Sequence, residues 1–243
     1  MEKSEVRNQK LEIRNIPTII LAGGLGTRLR SVIQDLPKPM APVNGKPFLH
    51  YIFQYLSKQG IGHVILSVGY KHESIKDFFG SSYLDIAIEY SVEEEPLGTG
   101  GGIKQAFDLV QQEAFVLNGD TFFDVDLREL KQFSNHTNAD IAMSLKQMSN
   151  FDRYGIVVRD ELDRAQSFEE KRFTESGFIN GGAYLIQKKL FDKIEVVQKF
   201  SFEKDVLEKY VRSLNFFGKE FDGYFIDIGI PEDYNKAQID FKS

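Results

Sequence analysis

A glycine-rich segment at residues 21–29 contains residue types that hold phosphate groups. It directly follows the apolar run Thr18–Leu21 and has the sequence Leu-Ala-Gly-Gly-Leu-Gly-Thr-Arg-Leu. Glycines let the backbone turn tightly and point N–H groups at phosphate oxygens, and Arg28 adds a planar cation. A dinucleotide fingerprint requires glycine where Leu29 stands, and a Walker loop requires Lys-Ser/Thr where Thr27-Arg28 stands. Phosphate binding and a plain strand-to-helix turn both remain open on this segment alone.

A second cation follows about ten residues later, in the sequence Leu-Pro-Lys-Pro-Met at 36–40. Because Pro37 and Pro39 stiffen the backbone on both sides of Lys38, its ammonium can be preorganised for a triphosphate. The alternative is a solvated lysine in a proline turn.

Two aspartates have the positions and chemistry of magnesium ligands. Asp120 follows the apolar run 114–117, and Asp227 ends another apolar run just before Gly229 and Pro231. Ligands of open α/β sheets bind outside the carboxyl ends of the strands, and Mg²⁺ prefers carboxylates, waters and substrate phosphates. The alternatives are a turn-forming role for Asp120 and an N-cap role for Asp227. Asp124 and Asp126 are predicted to cap a helix near Leu127.

The glycine segment together with Pro-Lys-Pro-Met resembles the sugar-1-phosphate nucleotidyltransferase family, over residues 17–240. The resemblance implies a Rossmann-like (GT-A-like) three-layer α/β sandwich, with a mostly parallel central sheet and a smaller mixed sugar-binding part. It implies that a nucleoside triphosphate and a sugar 1-phosphate react to give a nucleotide-sugar and pyrophosphate, with Mg²⁺ as cofactor. The implied catalytic residues are Arg28, Lys38, Asp120, Lys171 and Asp227, with Asp120 and Asp227 holding the metal. The implied nucleotide-binding residues are Leu21, Ala22, Gly23, Gly24, Gly26, Thr27, Arg28, Lys38, Glu93, Gly98 and Thr99; the implied sugar-phosphate-binding residues are Gly155, Glu170, Lys171, Asn180 and Gly181.

Six further segments resemble the branch of this family that acts on D-glycero-α-D-manno-heptose 1-phosphate with GTP: Glu95–Gly101, Leu117–Asp124, Phe151–Gly155, Ser167–Lys171, Ile179–Gly182 and Tyr224–Tyr234. The family usually has threonine where Ile230 stands, which affects details of sugar contact. Alternative functions are a transferase for mannose or another sugar 1-phosphate using GTP, dTTP, UTP or CTP, and a catalytically silent nucleotide-sugar sensor.

Glu93 favours guanine as the base. Thymidylyl-transferring members of the family have glutamine at the position that aligns with Glu93. A carboxylate only accepts hydrogen bonds, and guanine offers two adjacent donors, whereas thymine and uracil offer one N–H between two carbonyls. The loop 91–102 that contains Glu93 is predicted to face the ligand, with a surface acidic loop as the alternative.

Composition narrows the class of protein. The 243 residues are 42% hydrophobic and carry a formal net charge of −6, so a basic nucleic-acid binder is disfavoured. The absence of cysteine excludes thiolate metal sites and disulfides and fits a cytoplasmic protein. The sequence has no apolar run long enough to span a bilayer, so no membrane partner is expected. The many phenylalanines leave a homo-oligomer possible.

Strands alternating with helices in the first half predict a parallel sheet with helices on both faces. Strands are predicted at 18–21, 63–68, 86–90 and 114–117, and helices from Pro47 to Gly60, at 72–79 and at 101–112. The second half predicts a mixed sheet, with strands at 140–145, 154–158, 178–186 and 222–228, and helices at 202–210 and from Pro231. We expect a polar leader at 1–16 and one domain at 17–243, with a nucleotide-binding lobe at about 17–135 and a sugar-binding lobe at about 136–243.

Overall fold

The computed structural model describes residues 13–23, 36–69, 71–169 and 171–242. The chain divides into two compact units. The first comprises Met1–Pro96, Leu117–Asp124 and Tyr224–Ser243, and the second comprises Leu97–Val116 and Val125–Gly223. Within the described ranges, no helix combines the length and the apolar character needed to cross a membrane.

The strands are β1 (Thr18–Leu21), β2 (Pro42–Val43), β3 (Lys46–Pro47), β4 (His63–Val68), β5 (Ser82–Tyr83), β6 (Ile86–Val92), β7 (Glu113–Asn118), β8 (Thr121–Phe123), β9 (Ile141–Phe151), β10 (Ile156–Arg159), β11 (Ala165–Glu169), β12 (Thr174–Gln187), β13 (Phe216–Glu220) and β14 (Phe225–Asp227). The α-helices are α1 (Phe48–Gln59), α2 (His72–Phe79), α3 (Gly98–Ala106), α4 (Leu127–Thr137) and α5 (Pro231–Asp240). A π-helical segment occupies Glu203–Glu208, and 3-10 turns occupy Lys38–Met40, Phe107–Leu109 and Lys188–Asp192.

The sheet of the first unit is mostly parallel. β4 pairs in parallel with β1 on one side and with β6 on the other, and β5 closes the edge antiparallel to β6. Ile19, Ile20 and Val64 are fully buried, as expected for apolar strands covered on both faces. The strands predicted at 18–21 and 63–68 agree with the structure, and the strand predicted at 86–90 extends to Val92.

Helix α1 forms where the sequence predicted it. Pro47 stands at its N-cap, and Gly60 ends it in the left-handed conformation with φ of 90°, which glycine adopts at no steric cost. The Gly60 N–H donates to the Leu56 and Ser57 carbonyls. The apolar face of the helix, which includes Phe48 and Phe53, is buried in the core of the first unit.

The second unit contains a mixed sheet, as predicted. The long strands β9 and β12 pair antiparallel, and β13 joins β9 in parallel. The register of β12 shifts between Asn180 and Tyr184, so the predicted interruption of this strand at Gly181-Gly182 is a bulge.

Two segments of the second unit differ from the prediction. Helix α3 begins at Gly98, inside the segment predicted to be a ligand-facing loop. The segment 198–200 packs against the glycines of this helix. The predicted helix at 202–210 forms, but its central six residues, Glu203–Glu208, have π geometry. Hydrophobic spacing does not distinguish a π-helix from an α-helix over so few residues, so the sequence gives no sign of this change.

Candidate active site

Lys38 and Asp120 form an ion pair within the first unit. The Lys38 Nζ atom donates to Asp120 Oδ2 at 2.9 Å, and their side chains are 15% and 31% exposed. The 3-10 turn that begins at Lys38 has Pro37 at its N-cap and Pro39 inside it, so the backbone beneath the ammonium is stiff. The lysine is therefore largely buried and paired, in contrast to the alternative of a solvated lysine.

Asp227 lies beside Asp120 because β14 pairs antiparallel with β8. In this pairing Asp227 is opposite Thr121, and the Ile228 N–H donates to the Asp120 carbonyl at 3.0 Å. The Asp227 Oδ1 atom accepts from the Gly229 N–H at 2.7 Å, which is an Asx turn. The N-cap of α5 is Ile230, so the alternative N-cap role of Asp227 does not occur.

The donor set of these two aspartates fits a hard divalent cation. Asp120 offers its oxygens from the turn between β7 and β8, and Asp227 offers its own from the end of β14. Mg²⁺ typically takes one or two carboxylates and completes its shell with waters and substrate phosphates. Among the described residues there is no group of three or more His, Cys, Asp and Glu side chains that could enclose a metal without a substrate. A site of this kind suits a cation that binds together with phosphates.

Gly23 and Glu93 lie at the ends of the parallel strands of the first unit. A Cβ atom at Gly23 would come within 3.3 Å of Glu93 Oε1. The Ser67 hydroxyl donates to the same Oε1 atom at 3.4 Å, and the Ala22 N–H donates to the Ser67 carbonyl at 2.8 Å. The carboxylate of Glu93 therefore adjoins the start of the glycine segment, which begins with Leu21, Ala22 and Gly23.

Five predicted site residues lie outside the described residues: Gly24, Gly26, Thr27, Arg28 and Glu170. Their roles stay predictions.

Lys171 and Asn180 line a pocket in the second unit with a cavity volume of about 290 Å³, which we call the second-unit pocket. Its lining residues are Gly155, Ile156, Val157, Phe168, Glu169, Lys171, Asn180, Ser201, Glu203, Lys204, Leu207 and Glu208. The structure thus brings Lys171, Asn180 and Gly155 together, as the sequence predicted for a common site. A Cβ atom at Gly155 would lie 2.6 Å from the Glu169 carbonyl oxygen, so β10 and β11 can approach here only because this residue is glycine.

The amide of Asn180 is held in one orientation. Its Oδ1 atom accepts from the Gly182 N–H at 3.1 Å, and its Nδ2 atom donates to the Tyr184 hydroxyl at 2.7 Å. Burial above all, and then the charge of Glu203, raises the pKa of Tyr184, so the tyrosine stays neutral. Gly181 is buried in the bulge of β12, which brings Gly182 within reach of the Asn180 side chain.

Gly98 and Thr99, two predicted nucleotide-binding residues, contact the segment around Phe200 in the second unit. A Cβ atom at Gly98 would lie 2.6 Å from the Phe200 carbonyl oxygen, and one at Gly100 would lie 2.2 Å from the Phe200 ring. The Thr99 hydroxyl donates to Glu203 and accepts from the Phe202 N–H. These contacts give the glycines a packing role, and nucleotide contact by Gly98 and Thr99 stays a prediction.

None of the five pocket residues between positions 201 and 208 was predicted from the sequence: Ser201, Glu203, Lys204, Leu207 and Glu208. They come from the π-helical segment and the residues just before it, which belong to none of the motifs. A polar run with two apolar positions is common on solvated helices, so no residue pattern in the sequence distinguishes this segment.

The comparisons with known proteins place this chain in a family. A family model described as nucleotidyl transferase matches residues 17–243. The chain therefore belongs to the nucleotidyl transferase family, whose members generally use a divalent metal. The match confirms the family and the enzyme class that the sequence predicted. The predicted mixed α/β fold with a mostly parallel central sheet is confirmed by the structure and by the solved structures similar to it.

Three relatives are similar over most of their length. The chain is 56% identical over 216 residues to D-glycero-alpha-D-manno-heptose 1-phosphate guanylyltransferase of Campylobacter jejuni, covering 89% of this chain and 96% of that protein. It is 55% identical over 223 residues to the protein of the same name from Aneurinibacillus thermoaerophilus, covering 90% and 96%. The crystal structure of HddC from Yersinia pseudotuberculosis complexed with GMP-PN has a TM-score of 0.84 and 40% identity, covering 93% of this chain and all of that one.

Proposed function

We propose that this protein condenses GTP with D-glycero-α-D-manno-heptose 1-phosphate to give GDP-heptose and pyrophosphate. A phosphate oxygen of the sugar 1-phosphate attacks the α-phosphorus of GTP. The bond from that phosphorus to the oxygen that bridges to the β-phosphate breaks, and pyrophosphate leaves with the electron pair. A phosphate monoester is already nucleophilic, so catalysis consists of positioning and charge stabilisation.

The observation that supports the choice of substrates is the identity of 55–56% with two heptose 1-phosphate guanylyltransferases over 96% of their length. Mannose-1-phosphate guanylyltransferases are more distant, as shown by 36% identity to the Mycobacterium tuberculosis protein, of which the match covers 64%.

The first unit contains the groups proposed for the triphosphate. Lys38 supplies a preorganised positive charge, and Arg28 adds a second charge from the glycine segment. Asp120 and Asp227 are proposed to hold Mg²⁺, which neutralises phosphate charge when bound. The pairing of Lys38 with Asp120 supports this assignment, because the ion pair holds the two partly buried side chains in place.

The second unit contains the groups proposed for the sugar 1-phosphate. Lys171 is proposed to bind its phosphate and to align the attacking oxygen, and Glu170 to bind sugar hydroxyls. Asn180 offers the ring a donor, because one hydrogen of its Nδ2 atom is left after the bond to Tyr184. Gly155 and Gly181 are proposed to leave room for the ring.

Glu93 is proposed to select guanine through its carboxylate. The Oε1 atom is oriented by Ser67 beside Gly23, and a carboxylate pairs with the two adjacent donors of guanine but opposes the carbonyls of thymine and uracil. Glu93→Gln should raise the KM for GTP about 10- to 100-fold, the cost of a hydrogen bond to a charged group. Glu94→Gln, an exposed neighbour in the same loop, is the matched control. Equal values of the KM for GTP in both variants would rule out this role of Glu93.

Pyrophosphate release from a panel of nucleoside triphosphates and sugar 1-phosphates, with and without Mg²⁺, tests the whole proposal. We expect the highest kcat/KM for GTP with heptose 1-phosphate. Faster release with dTTP, UTP or mannose 1-phosphate would refute the substrate assignment, and no release with any pair would refute the activity.

Lys38→Ala tests the catalytic assignment. It should lower kcat on the order of 10²–10³-fold, as for the loss of other preorganised charges. Lys58→Ala, an exposed lysine near the end of α1, is the control and should retain kcat. Turnover of Lys38→Ala close to that of the wild type would remove Lys38 from the catalytic set.

A further inference from the structure

The π-helical segment Glu203–Glu208 forms part of the second-unit pocket. Glu203, Lys204, Leu207 and Glu208 all line the cavity. A π-helix is rare, and short π segments occur frequently at functional sites. Its wider turn brings residues at spacings of four and five to one face, which matches the residues that line the pocket.

Glu203 is the pocket-lining acid of this segment that the surrounding chain holds in place. Its Oε2 atom accepts from the Thr99 hydroxyl at 2.8 Å and from the Ser201 hydroxyl at 2.9 Å. The Thr99 hydroxyl is itself fixed, because it accepts from the Phe202 N–H at 2.9 Å. In the described part of the chain, no group donates a hydrogen bond to the other oxygen, Oε1. Glu203 therefore has one oriented acceptor that remains available.

Asn180 lines the same pocket and provides the complementary group. Its Oδ1 atom is occupied by the Gly182 N–H and one hydrogen of Nδ2 by Tyr184, so its remaining capacity is one N–H donor. A sugar hydroxyl both donates and accepts. A pocket with a fixed acceptor and a fixed donor is therefore suited to the hydroxyls of a sugar ring.

We propose that Glu203 is a further sugar-binding residue, whose Oε1 atom accepts a hydrogen bond from a hydroxyl of the sugar 1-phosphate. This inference rests on the proposed function, since it assigns a contact to the substrate proposed for the second-unit pocket. It adds a residue outside the sequence motifs to the set that selects the sugar.

Glu203→Gln changes the available group with little change in its anchoring. The amide oxygen takes the place of Oε2, because Thr99 and Ser201 donate there, and the amide nitrogen takes the place of Oε1. The acceptor thereby becomes a donor while the side chain stays anchored. The KM for heptose 1-phosphate should rise about 10- to 100-fold, and the KM for GTP should stay at its wild-type value.

Asp205→Asn is the matched control. It removes the same charge from the same segment, and its amide oxygen can still accept from the Ser201 N–H as Asp205 Oδ2 does at 2.8 Å, but Asp205 does not line the pocket. Its KM for the sugar 1-phosphate should equal that of the wild type. An equal rise in both variants would overturn the proposal in favour of a general effect of the charge of this segment.

Deoxy analogues of the sugar 1-phosphate separate contact with substrate from a structural role. For the wild type, kcat/KM should be lower on the analogue that lacks the bonded hydroxyl than on the full substrate, by about the same factor by which Glu203→Gln lowers it on the full substrate. For Glu203→Gln, kcat/KM should be the same on this analogue and on the full substrate. If Glu203→Gln does not fold, as judged by its melting temperature, Ser201→Ala is the substitute. It removes one of the two anchoring donors, and the KM for the sugar should rise by less.

The outcomes distinguish this inference from the proposed function. The role of Glu203 alone is overturned if the wild type is active and Glu203→Gln has the same KM for the sugar 1-phosphate. It is also overturned if every deoxy analogue lowers kcat/KM equally in the wild type and in the variant. A wild type that releases no pyrophosphate with any pair of substrates overturns the proposed function itself.

Discussion

Gly119→Ala should displace Asp120 and lower activity by more than the loss of stability explains. Gly119 precedes Asp120 in the turn between β7 and β8, and its N–H donates to the Leu21 carbonyl at 3.0 Å. A Cβ atom at this position would lie 2.5 Å from that carbonyl oxygen and 3.1 Å from Pro39 Cγ. Both neighbours are rigid, since one is the backbone of a central strand and the other is a proline ring.

The size of the effect follows from these distances. The new methyl group must retreat from 2.5 Å to beyond 3.0 Å, and Asp120 moves with it because it is the next residue. Catalytic groups need placement within about 0.5 Å, and a misplacement of about 1 Å can cost about 100-fold in rate. We therefore expect kcat to fall about 10- to 100-fold and the free energy of unfolding to fall by about 1–3 kcal/mol from overpacking.

Gly60→Ala supplies the control for stability. Gly60 has φ of 90° at the end of α1, and a Cβ atom there would have no neighbour within 4 Å. Gly60→Ala should lower the free energy of unfolding by about 1–2 kcal/mol through backbone strain, without a contact to Asp120 or Asp227. Urea unfolding and steady-state pyrophosphate release would be measured for both variants. A kcat of Gly119→Ala equal to that of Gly60→Ala at equal stability would rule out the displacement of Asp120.

Two further substitutions test local structure by urea unfolding. Asp126→Ala should cost about 1 kcal/mol at pH 7, because the Asp126 side chain caps α4 by accepting from the Arg128 N–H. Burial raises the pKa of Asp126, but hydrogen bonds and charge from Arg128 outweigh this effect and hold the pKa below its usual value. The carboxylate therefore contributes stability above about pH 4 that is lost at lower pH, and a difference from the wild type that persisted at about pH 2 would contradict this account. Asp140→Ala should cost about 1–3 kcal/mol, because it removes the carboxylate that accepts from the Asn215 N–H and from the half-exposed Lys193 ammonium; a cost close to zero would show that water replaces it.

The sequence predicted the elements whose signals are local. Strands β1 and β4 are short apolar runs between glycine-rich or polar segments, and α1 lies between a proline and a glycine, so neighbouring residues determine each of them. The cap of α4 by Asp126 was predicted for the same reason, whereas the same prediction for Asp124 was wrong, because the N-cap residue of α4 is Asp126. The resemblance to the family also led us to expect Asp120 and Asp227 at one metal site, and the pairing of β14 with β8 brings them side by side.

The parts that the sequence did not predict depend on contacts between distant residues. Thr99 and Glu203 are 104 positions apart. No spacing rule predicts that the Glu203 side chain accepts a hydrogen bond from a residue at the start of α3. The glycines of α3 looked typical of a ligand loop, because the side chain that fills the space beside them, Phe200, lies in an unrelated segment. The π geometry of Glu203–Glu208 likewise depends on packing and not on hydrophobic period.

Close approach to another segment accounts for several of the glycines in these motifs. Gly119 lies against the Leu21 carbonyl, Gly155 against the Glu169 carbonyl and Gly98 against the Phe200 carbonyl, each at 2.5–2.6 Å from a would-be Cβ atom. In each case a proposed functional side chain is only one to three residues away along one of the two segments: Asp120, Lys171 and Glu203. These glycines therefore allow two segments to approach closely, and this approach sets the positions of the charged side chains. A methyl group added at any of them should lower kcat or raise KM by more than the loss of stability explains, because it displaces the neighbouring charged side chain.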